Sequence, residues 1–155
     1  MNFDEAFEKL IGHEGGYVNS RADPGGETKF GISKRSYPGE NIPAMTLERA
    51  KQIYLRDYWG PCGADALPDG MKLQVFDMAV NSSVAQTVKV LQRAVGETDD
   101  GVLGPMTLQA VNSMQPARLL ARFNGYRLHF MADLSNWPSF SRGWAKRVAY
   151  NLLEA

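Results

Sequence analysis

The sequence predicts an α+β protein that is predominantly α-helical, with a small β lobe near the N-terminus and a helical body after it. Between Gly12 and Ile32, five glycines and Pro24 interrupt helical periodicity, which favours short strands and turns. From Thr46 onward, apolar residues recur at helical spacing in segments that begin at capping residues or prolines. The 155 residues suffice for one hydrophobic core, so we expect a single domain spanning residues 1–155.

Each predicted element follows from a local signal. Asn2 can cap a first helix with Glu5 three residues later, and Gly12 ends that helix. Short strands are predicted around Tyr17 and Val18 and around Phe30 and Ile32, on either side of the turn DPGG. Further helices are predicted to begin at Thr46, Asp69, Ser83, Pro105 and Pro116, and a final one is lined by Phe140, Trp144, Val148 and Leu152.

Composition excludes several classes of function. Lys plus Arg and Asp plus Glu number 17 each, so no overall positive field attracts nucleic acid. The single cysteine, Cys62, cannot form an internal disulfide and is expected to be a small buried residue. Neither cysteine pairs nor clustered histidines offer a metal site, and no cofactor is expected. No apolar run approaches the roughly 20 residues that span a bilayer, so no stable membrane association is expected.

The start of the chain, MNFDEAFEKL, is acidic and amphipathic, whereas a signal peptide is basic and then apolar. We therefore expect a protein made in a reducing cytoplasm, which needs another route to reach any destination outside. Nothing in the sequence indicates an oligomer, and a monomer is expected.

Glu14 is the candidate acid catalyst. It directly follows the amphipathic first helix, where partial burial would raise the pKa of its carboxyl and keep the proton available near neutrality. Splitting a glycosidic bond requires such a carboxylic acid beside the leaving oxygen. A solvated glutamate at a helix end is the alternative, but Gly15 and Gly16 allow a bulky substrate to approach and Tyr17 can pack against a sugar ring.

Three residues in and after the DPGG turn are candidate partners of Glu14. Asp23 is placed to orient or deprotonate a water, although it can equally accept hydrogen bonds from its own turn. Thr28 can hydrogen-bond the same water or satisfy turn backbone. Glu27 is a weaker rival of Asp23 and is otherwise a substrate-binding candidate together with Tyr17.

Other polar and aromatic residues have two interpretations. Tyr58, Trp59 and Trp137 are possible walls of sugar subsites, but aromatic residues at helical spacing usually belong to the core. Asp77 and Asn81 lie one turn apart on an apolar helix. They face either a cleft or a buried hydrogen-bond network, and the network is favoured.

Five segments in order resemble glycoside hydrolase family 108, the EGGY-type N-acetylmuramidases of phage endolysins and their prophage relatives. The resemblance extends nearly end to end and includes RGWAKRV near the C-terminus. The segments are HEGGYVN, DPGGETKFGIS, MTLERAKQIYLRDYW, LQVFDMAVNSS and LQRAVGETDDGVLGPMTLQAV.

The resemblance implies a lysozyme-like fold in which Glu14 is the essential acid, with Asp23, Glu27 and Thr28 at the matching positions of DPGGET. It also implies a catalytic part over residues 1–89 and a helical part over residues 90–155 that resembles a predicted peptidoglycan-binding region. The DGVLGPMT loop looks like a turn of peptidoglycan-binding modules, although a glycine turn followed by a proline at a helix start suits any helical protein.

The expected activity is cleavage of the β-1,4 bond between N-acetylmuramic acid and N-acetylglucosamine in peptidoglycan glycan strands, leading to host cell lysis. A non-catalytic peptidoglycan-binding module and a lytic transglycosylase are the alternatives. The spacing of Glu14 and Asp23 resembles that of phage lysozymes, which favours inversion at the anomeric carbon. Without a leader, such an enzyme would reach the cell wall after release by a holin.

Overall fold

The first helix, α1 (Phe3–Ile11), begins at the cap that the sequence predicts. The structure is a computed structural model, and it describes residues 1–12, 16–19 and 25–155. Asn2 Oδ1 accepts a hydrogen bond from the Glu5 N–H at 2.9 Å, and Glu5 Oε2 accepts one from the Asn2 N–H at 2.8 Å. This reciprocal pair satisfies N–H groups that a helix start leaves unpaired. Gly12 lies at the C-terminal cap, so both predicted ends of the helix are confirmed.

A three-stranded antiparallel sheet follows, with β2 (Glu27–Lys29) between β1 (Val18–Asn19) and β3 (Ile32–Ser33). The small β lobe is therefore confirmed. Phe30 was predicted to lie in a strand, and this is wrong. It forms the two-residue turn between β2 and β3 with Gly31, with φ of 50° and 75°. The register of a tight hairpin requires positive φ at both turn residues, and that requirement outweighs the strand preference of an aromatic residue.

The next helix, α2 (Leu47–Tyr54), begins at Thr46, whose side chain accepts from the Arg49 N–H as a cap. Its chain continues into a turn of π-helix over Leu55–Trp59. Trp59, the last residue of this turn, is buried in the core and 1% exposed. Its indole N–H donates to Asp65 at 3.0 Å, so Trp59 is a core residue and not a wall of a sugar subsite.

The helical body follows the predicted order of helices. The most buried is α3 (Asp69–Asn81), in which every residue from Leu73 to Ala79 is buried. A helix buried on all sides lies at the centre of a core. The helices packed after it are α4 (Val84–Val95), α5 (Pro105–Ser113), α6 (Pro116–Ala132) and α7 (Trp137–Leu153).

Several local predictions for these helices are also confirmed. Ser83 caps α4, and Gly96 ends it with φ of 77°, the left-handed conformation that glycine adopts without strain. Pro105 and Pro116 are the first residues of α5 and α6. Cys62 is buried, as expected, and burial raises the pKa of its thiol to about 12. Predominantly helical structure with a small β lobe is thus the fold class of the described residues.

Contacts within the chain define two compact units, one formed by Asn2–Asp57 and the other by Tyr58–Ala155 with Met1. The division falls inside the π-helical turn. The first unit holds the β lobe with α1 and α2, and the second holds α3 to α7. The expectation of one domain, divided between residues 89 and 90, stays a prediction.

Asp77 is the centre of a buried ionic cluster in the helical unit. Its Oδ2 accepts from Arg127 Nη2 of α6 at 2.7 Å, and its Oδ1 accepts from Arg147 Nε of α7 at 2.7 Å. The side chains of Asp77 and Arg127 are 1% and 0% exposed. Burial lowers the pKa of the Arg127 guanidinium from its ordinary value, and the charge of Asp77 opposes that shift. The buried network predicted for Asp77 is therefore present, and it joins α3, α6 and α7. Asn81, for which the same network was favoured, is half-buried and lines a groove instead.

Replacing Asp77 by Asn should destabilise the protein by about 3–5 kcal/mol, because it removes the carboxylate that neutralises the buried guanidinium of Arg127. Urea unfolding followed by circular dichroism measures the loss. The matched control is Asp133→Asn, since the Asp133 carboxylate pairs with His129 but is 74% exposed. That change should cost less than about 1 kcal/mol. Equal losses for the two variants would contradict a structural role for the cluster.

Candidate active site

Three of the five predicted site residues lie in described parts of the chain. Tyr17 directly precedes β1, and Glu27 and Thr28 form part of β2. Glu14 and Asp23 lie outside the described residues, so the predictions for these two carboxylates stay predictions. In the β lobe, the relative positions of Tyr17, Glu27 and Thr28 follow from the three-stranded sheet.

The sheet brings Tyr17 and Glu27 together. The Tyr17 hydroxyl donates to Glu27 Oε1 at 3.3 Å. Asn19 pairs with Glu27 across the two strands, which makes Tyr17 the diagonal neighbour of Glu27 on the same face. The Tyr17 side chain is 45% exposed, so its ring is available to a ligand while its hydroxyl is held. The two residues that were predicted to bind substrate are therefore in direct contact.

Thr28 lies on the other face of the sheet, because successive side chains of a strand alternate. It pairs with Val18 of β1 on one side and with Ser33 of β3 on the other. Within the described residues its hydroxyl makes no hydrogen bond, and it lies on the side of β2 opposite Glu27. The alternative in which Thr28 satisfies turn backbone involves Asp23 and Pro24, which lie outside the described residues, so it stays open.

Tyr54 of α2 contacts both the hairpin turn of the sheet and helix α1. This role was not predicted from the sequence. Its hydroxyl donates to the carbonyl oxygen of Phe30 at 2.8 Å, which fixes the turn that follows Thr28. Its ring meets the ring of Phe7 of α1 edge-on, with centroids 5.5 Å apart. Phe7 lies in the middle of α1. Tyr54 thus contacts both α1 and the turn at the end of the strand that carries Thr28.

The turn that Tyr54 holds is strained. A bulky residue rarely adopts positive φ, and such a conformation costs about 1–3 kcal/mol. Phe30 nevertheless adopts positive φ. Two contacts hold it in this conformation: Lys29 pairs with Ile32 across the hairpin, and the Tyr54 hydroxyl donates to the Phe30 carbonyl. The geometry of β2 near Thr28 is therefore set by tertiary contacts.

A carboxylate network fixes the segment that follows the sheet. Asp57 accepts from the Tyr37 hydroxyl at 2.8 Å and from Arg56 at 2.6 and 2.7 Å. The Arg56 hydrogen bond is the main reason that the pKa of Asp57 lies below its ordinary value. This carboxylate therefore stays ionised at neutral pH and is unsuited to donate a proton.

In the helical unit, the DGVLGPMT loop folds around the buried amide of Gln92. Its Nε2 donates to Asp100 Oδ1 at 2.8 Å and to the Val102 carbonyl at 3.0 Å, and its Oε1 accepts from the Gly101 N–H at 2.9 Å. The loop also borders a groove of about 400 Å³. The turn and helix start that the sequence allows are both present, and Gln92 is the residue that the sequence pattern did not reveal.

Two family models match the chain. The model described as Glycosyl hydrolase 108 matches residues 7–83, which contain Tyr17, Glu27 and Thr28. The model described as Predicted Peptidoglycan domain matches residues 86–149, which contain the DGVLGPMT loop. Together these matches define the class: a protein of glycoside hydrolase type that acts on peptidoglycan.

Among solved structures, the chain is similar to "Structure of Brucella abortus SagA". The two share 34% sequence identity with a TM-score of 0.90, over 98% of this chain and 92% of that one. The chain belongs to the glycosyl hydrolase 108 family. No curated protein matches it significantly. Within the described residues, every helix is too short or too polar to cross a bilayer.

Replacing Tyr54 by Phe should destabilise the protein by about 1 kcal/mol, because it leaves the Phe30 carbonyl of a strained turn without its donor. Chemical denaturation measures this loss. Tyr17→Phe is the matched control, since it removes a hydroxyl whose hydrogen bond is exposed and longer. If the control cost as much as Tyr54→Phe, the proposed positioning by Tyr54 would be contradicted.

Proposed function

We propose that this protein is an N-acetylmuramidase that cleaves the β-1,4 bond between N-acetylmuramic acid and N-acetylglucosamine, with Glu14 as the general acid. The observation that carries the proposal is the glycoside hydrolase match over residues 7–83, a range that includes Glu14, two positions after Gly12 in the sequence. The peptidoglycan match over residues 86–149 supports the choice of substrate.

In the proposed mechanism, Glu14 gives its proton to the bridging oxygen as the bond from that oxygen to the anomeric carbon breaks. Positive charge then develops on the sugar ring. A water molecule attacks the anomeric carbon, and Asp23 accepts the proton that this water loses. The Thr28 hydroxyl positions the water, a role supported by its freedom from other hydrogen bonds in the described structure.

Tyr17 is proposed as a wall of a sugar subsite. Its exposed ring offers a flat apolar face, which suits the CH groups of a pyranose. Glu27 fixes the orientation of that ring through the hydrogen bond to the Tyr17 hydroxyl. Because Glu27 and Thr28 point to opposite faces of β2, Glu27 is a poor candidate to share the water that Thr28 holds.

The muramidase proposal extends to the biological role expected from the family resemblance. Cutting the glycan strand weakens the cell wall, so the proposed outcome is lysis of a bacterial cell after holin-type release of the enzyme. A non-catalytic peptidoglycan-binding module is the second candidate, favoured by the match over residues 86–149. A protein that only binds would have no use for a proton donor at Glu14.

Glu14→Gln should abolish the clearing of cell-wall suspensions, with a loss of at least about 100-fold, because glutamine has the shape of glutamic acid but no acidic proton. Turbidity loss over time measures the activity. The matched control is Glu8→Gln on the exposed side of α1, which should clear at the wild-type rate. A folded Glu14→Gln variant with undiminished clearing would remove the proposal.

Thr28→Val should slow hydrolysis by about tenfold or more, because valine keeps the shape and strand preference of threonine but cannot hold a water. Thr28→Ser restores the hydroxyl and should recover much of the rate. Normal turnover by Thr28→Val together with a strong loss in Glu27→Gln would contradict this role and would assign the water to Glu27 instead.

Asp23→Asn should slow turnover about 100-fold if Asp23 accepts the proton.

A further inference from the structure

Helix α7 carries three aromatic residues, and the ring of Trp144 contacts the rings of the other two. Trp137 and Trp144 have ring centroids 6.0 Å apart, and Phe140 stacks on Trp144 at 5.5 Å with an interplanar angle of 19°. These positions are spaced by three and four residues, so they share one side of the helix. Phe140 is 53% exposed, which leaves a stacked aromatic surface open to solvent.

A groove of about 220 Å³ adjoins this aromatic cluster. Trp144 and Phe130 supply its aromatic walls, and Asn81, Gln86 and Asn136 supply amide groups. Its other lining residues are Ser82, Met131 and Leu134. No described lining residue carries a charge, so the groove suits a neutral ligand with both apolar faces and hydrogen-bonding groups.

The three amide side chains are available for binding. Asn136 lies at the N-terminal cap of α7 but makes no side-chain capping bond. Considering the described residues alone, the side-chain amides of Asn81 and Gln86 also make no hydrogen bond. Each amide offers both a donor and an acceptor, which matches the hydroxyl and N-acetyl groups of an amino sugar.

The groove beside the DGVLGPMT loop has a different chemistry. Glu97 and Asp100 line it, and none of the described residues around it is aromatic. A neutral sugar ring therefore fits the Trp144 groove better than this acidic one. The volume of about 220 Å³ lies below the roughly 300–1,000 Å³ of sites for drug-sized ligands, which suits a single ring.

We infer that the Trp144 groove and the aromatic cluster of α7 form an auxiliary glycan-binding site that holds one N-acetylhexosamine residue of a peptidoglycan strand. The sugar ring packs on Trp144, which belongs to both the groove and the cluster, and its N-acetyl and hydroxyl groups bond the amides of the groove. Phe140, stacked on Trp144, extends that aromatic surface. This inference rests on the proposed peptidoglycan substrate. Such a site keeps the enzyme on an insoluble substrate between cleavage events.

Binding to purified sacculi tests the inference, in a Glu14→Gln background that prevents cleavage. Phe140→Ala and, separately, Gln86→Ala should each weaken binding about five- to tenfold in a sedimentation assay. Neither change removes a fully buried side chain. Leu153→Ala is the matched control, because it removes an 86% exposed apolar side chain from the same helix and should leave binding unchanged.

The assay is repeated with glycan strands from which the stem peptides have been removed. The same losses are expected there, since the groove is proposed to hold sugar. Unchanged binding of both variants, or losses that vanish when the peptides are removed, would overturn the inference. Binding to phospholipid vesicles is measured in parallel. If the two variants weakened binding to vesicles but not to sacculi, the inference would also be overturned, and the aromatic surface would be assigned to a membrane. Hydrolysis by the parent enzyme is scored separately, so failure of the muramidase proposal is distinguishable from failure of this site.

Discussion

The buried carboxylate of Asp77 sets the arrangement of the helical unit. One arginine from α6 and another from α7 reach it at 2.7 Å each. Both contacts depend on how α6 and α7 pack on α3, so one carboxylate ties the three helices together. Arg127 Nε and Nη1 have no hydrogen-bond partner in the described part of the chain, and an incompletely paired buried cation costs free energy. The Trp144 groove is lined from these same three helices and the start of α4, so its shape depends on the cluster.

In the unit that carries the β lobe, Tyr54 has the corresponding role. It reaches Phe30 through a hydrogen bond and Phe7 through its ring, so one residue of α2 fixes both a strained hairpin turn and the first helix. General acid catalysis requires the acid and the water-holding group to keep a fixed separation, because small displacements of catalytic groups cost large factors in rate. Tyr54 contacts both α1 and the turn that follows β2, so the separation of these two elements is held by one side chain.

The sequence predicted the features that depend on local chemistry. Caps at Asn2, Thr46 and Ser83 and the proline at the start of α5 follow from hydrogen bonds and torsions within a few residues, so they are visible without the fold. Phe30 was misplaced because the hairpin register, a tertiary constraint, determines its backbone. The π-helical turn before Gly60 was missed for a similar reason, since burial of Trp59 decides it.

The predictions for polar residues also divide into those that the sequence supports and those that require the tertiary structure. Local chemistry made Glu14, Asp23, Glu27 and Thr28 candidates, and the family resemblance places the same four residues at its motif positions. Only the sheet register shows that Glu27 and Thr28 lie on opposite faces. Asp77 was recognised as polar on an apolar helix, but its partners are 50 and 70 residues away and no local pattern points to them.

Mass spectrometry of the products released from purified peptidoglycan tests the central claim most directly. Hydrolysis by a muramidase adds one water per bond, so the account predicts fragments that end in a reducing N-acetylmuramic acid. Fragments ending in 1,6-anhydro-N-acetylmuramic acid would show a lytic transglycosylase, in which no water is added. The absence of new ends, with the protein bound to the wall, would contradict catalysis altogether.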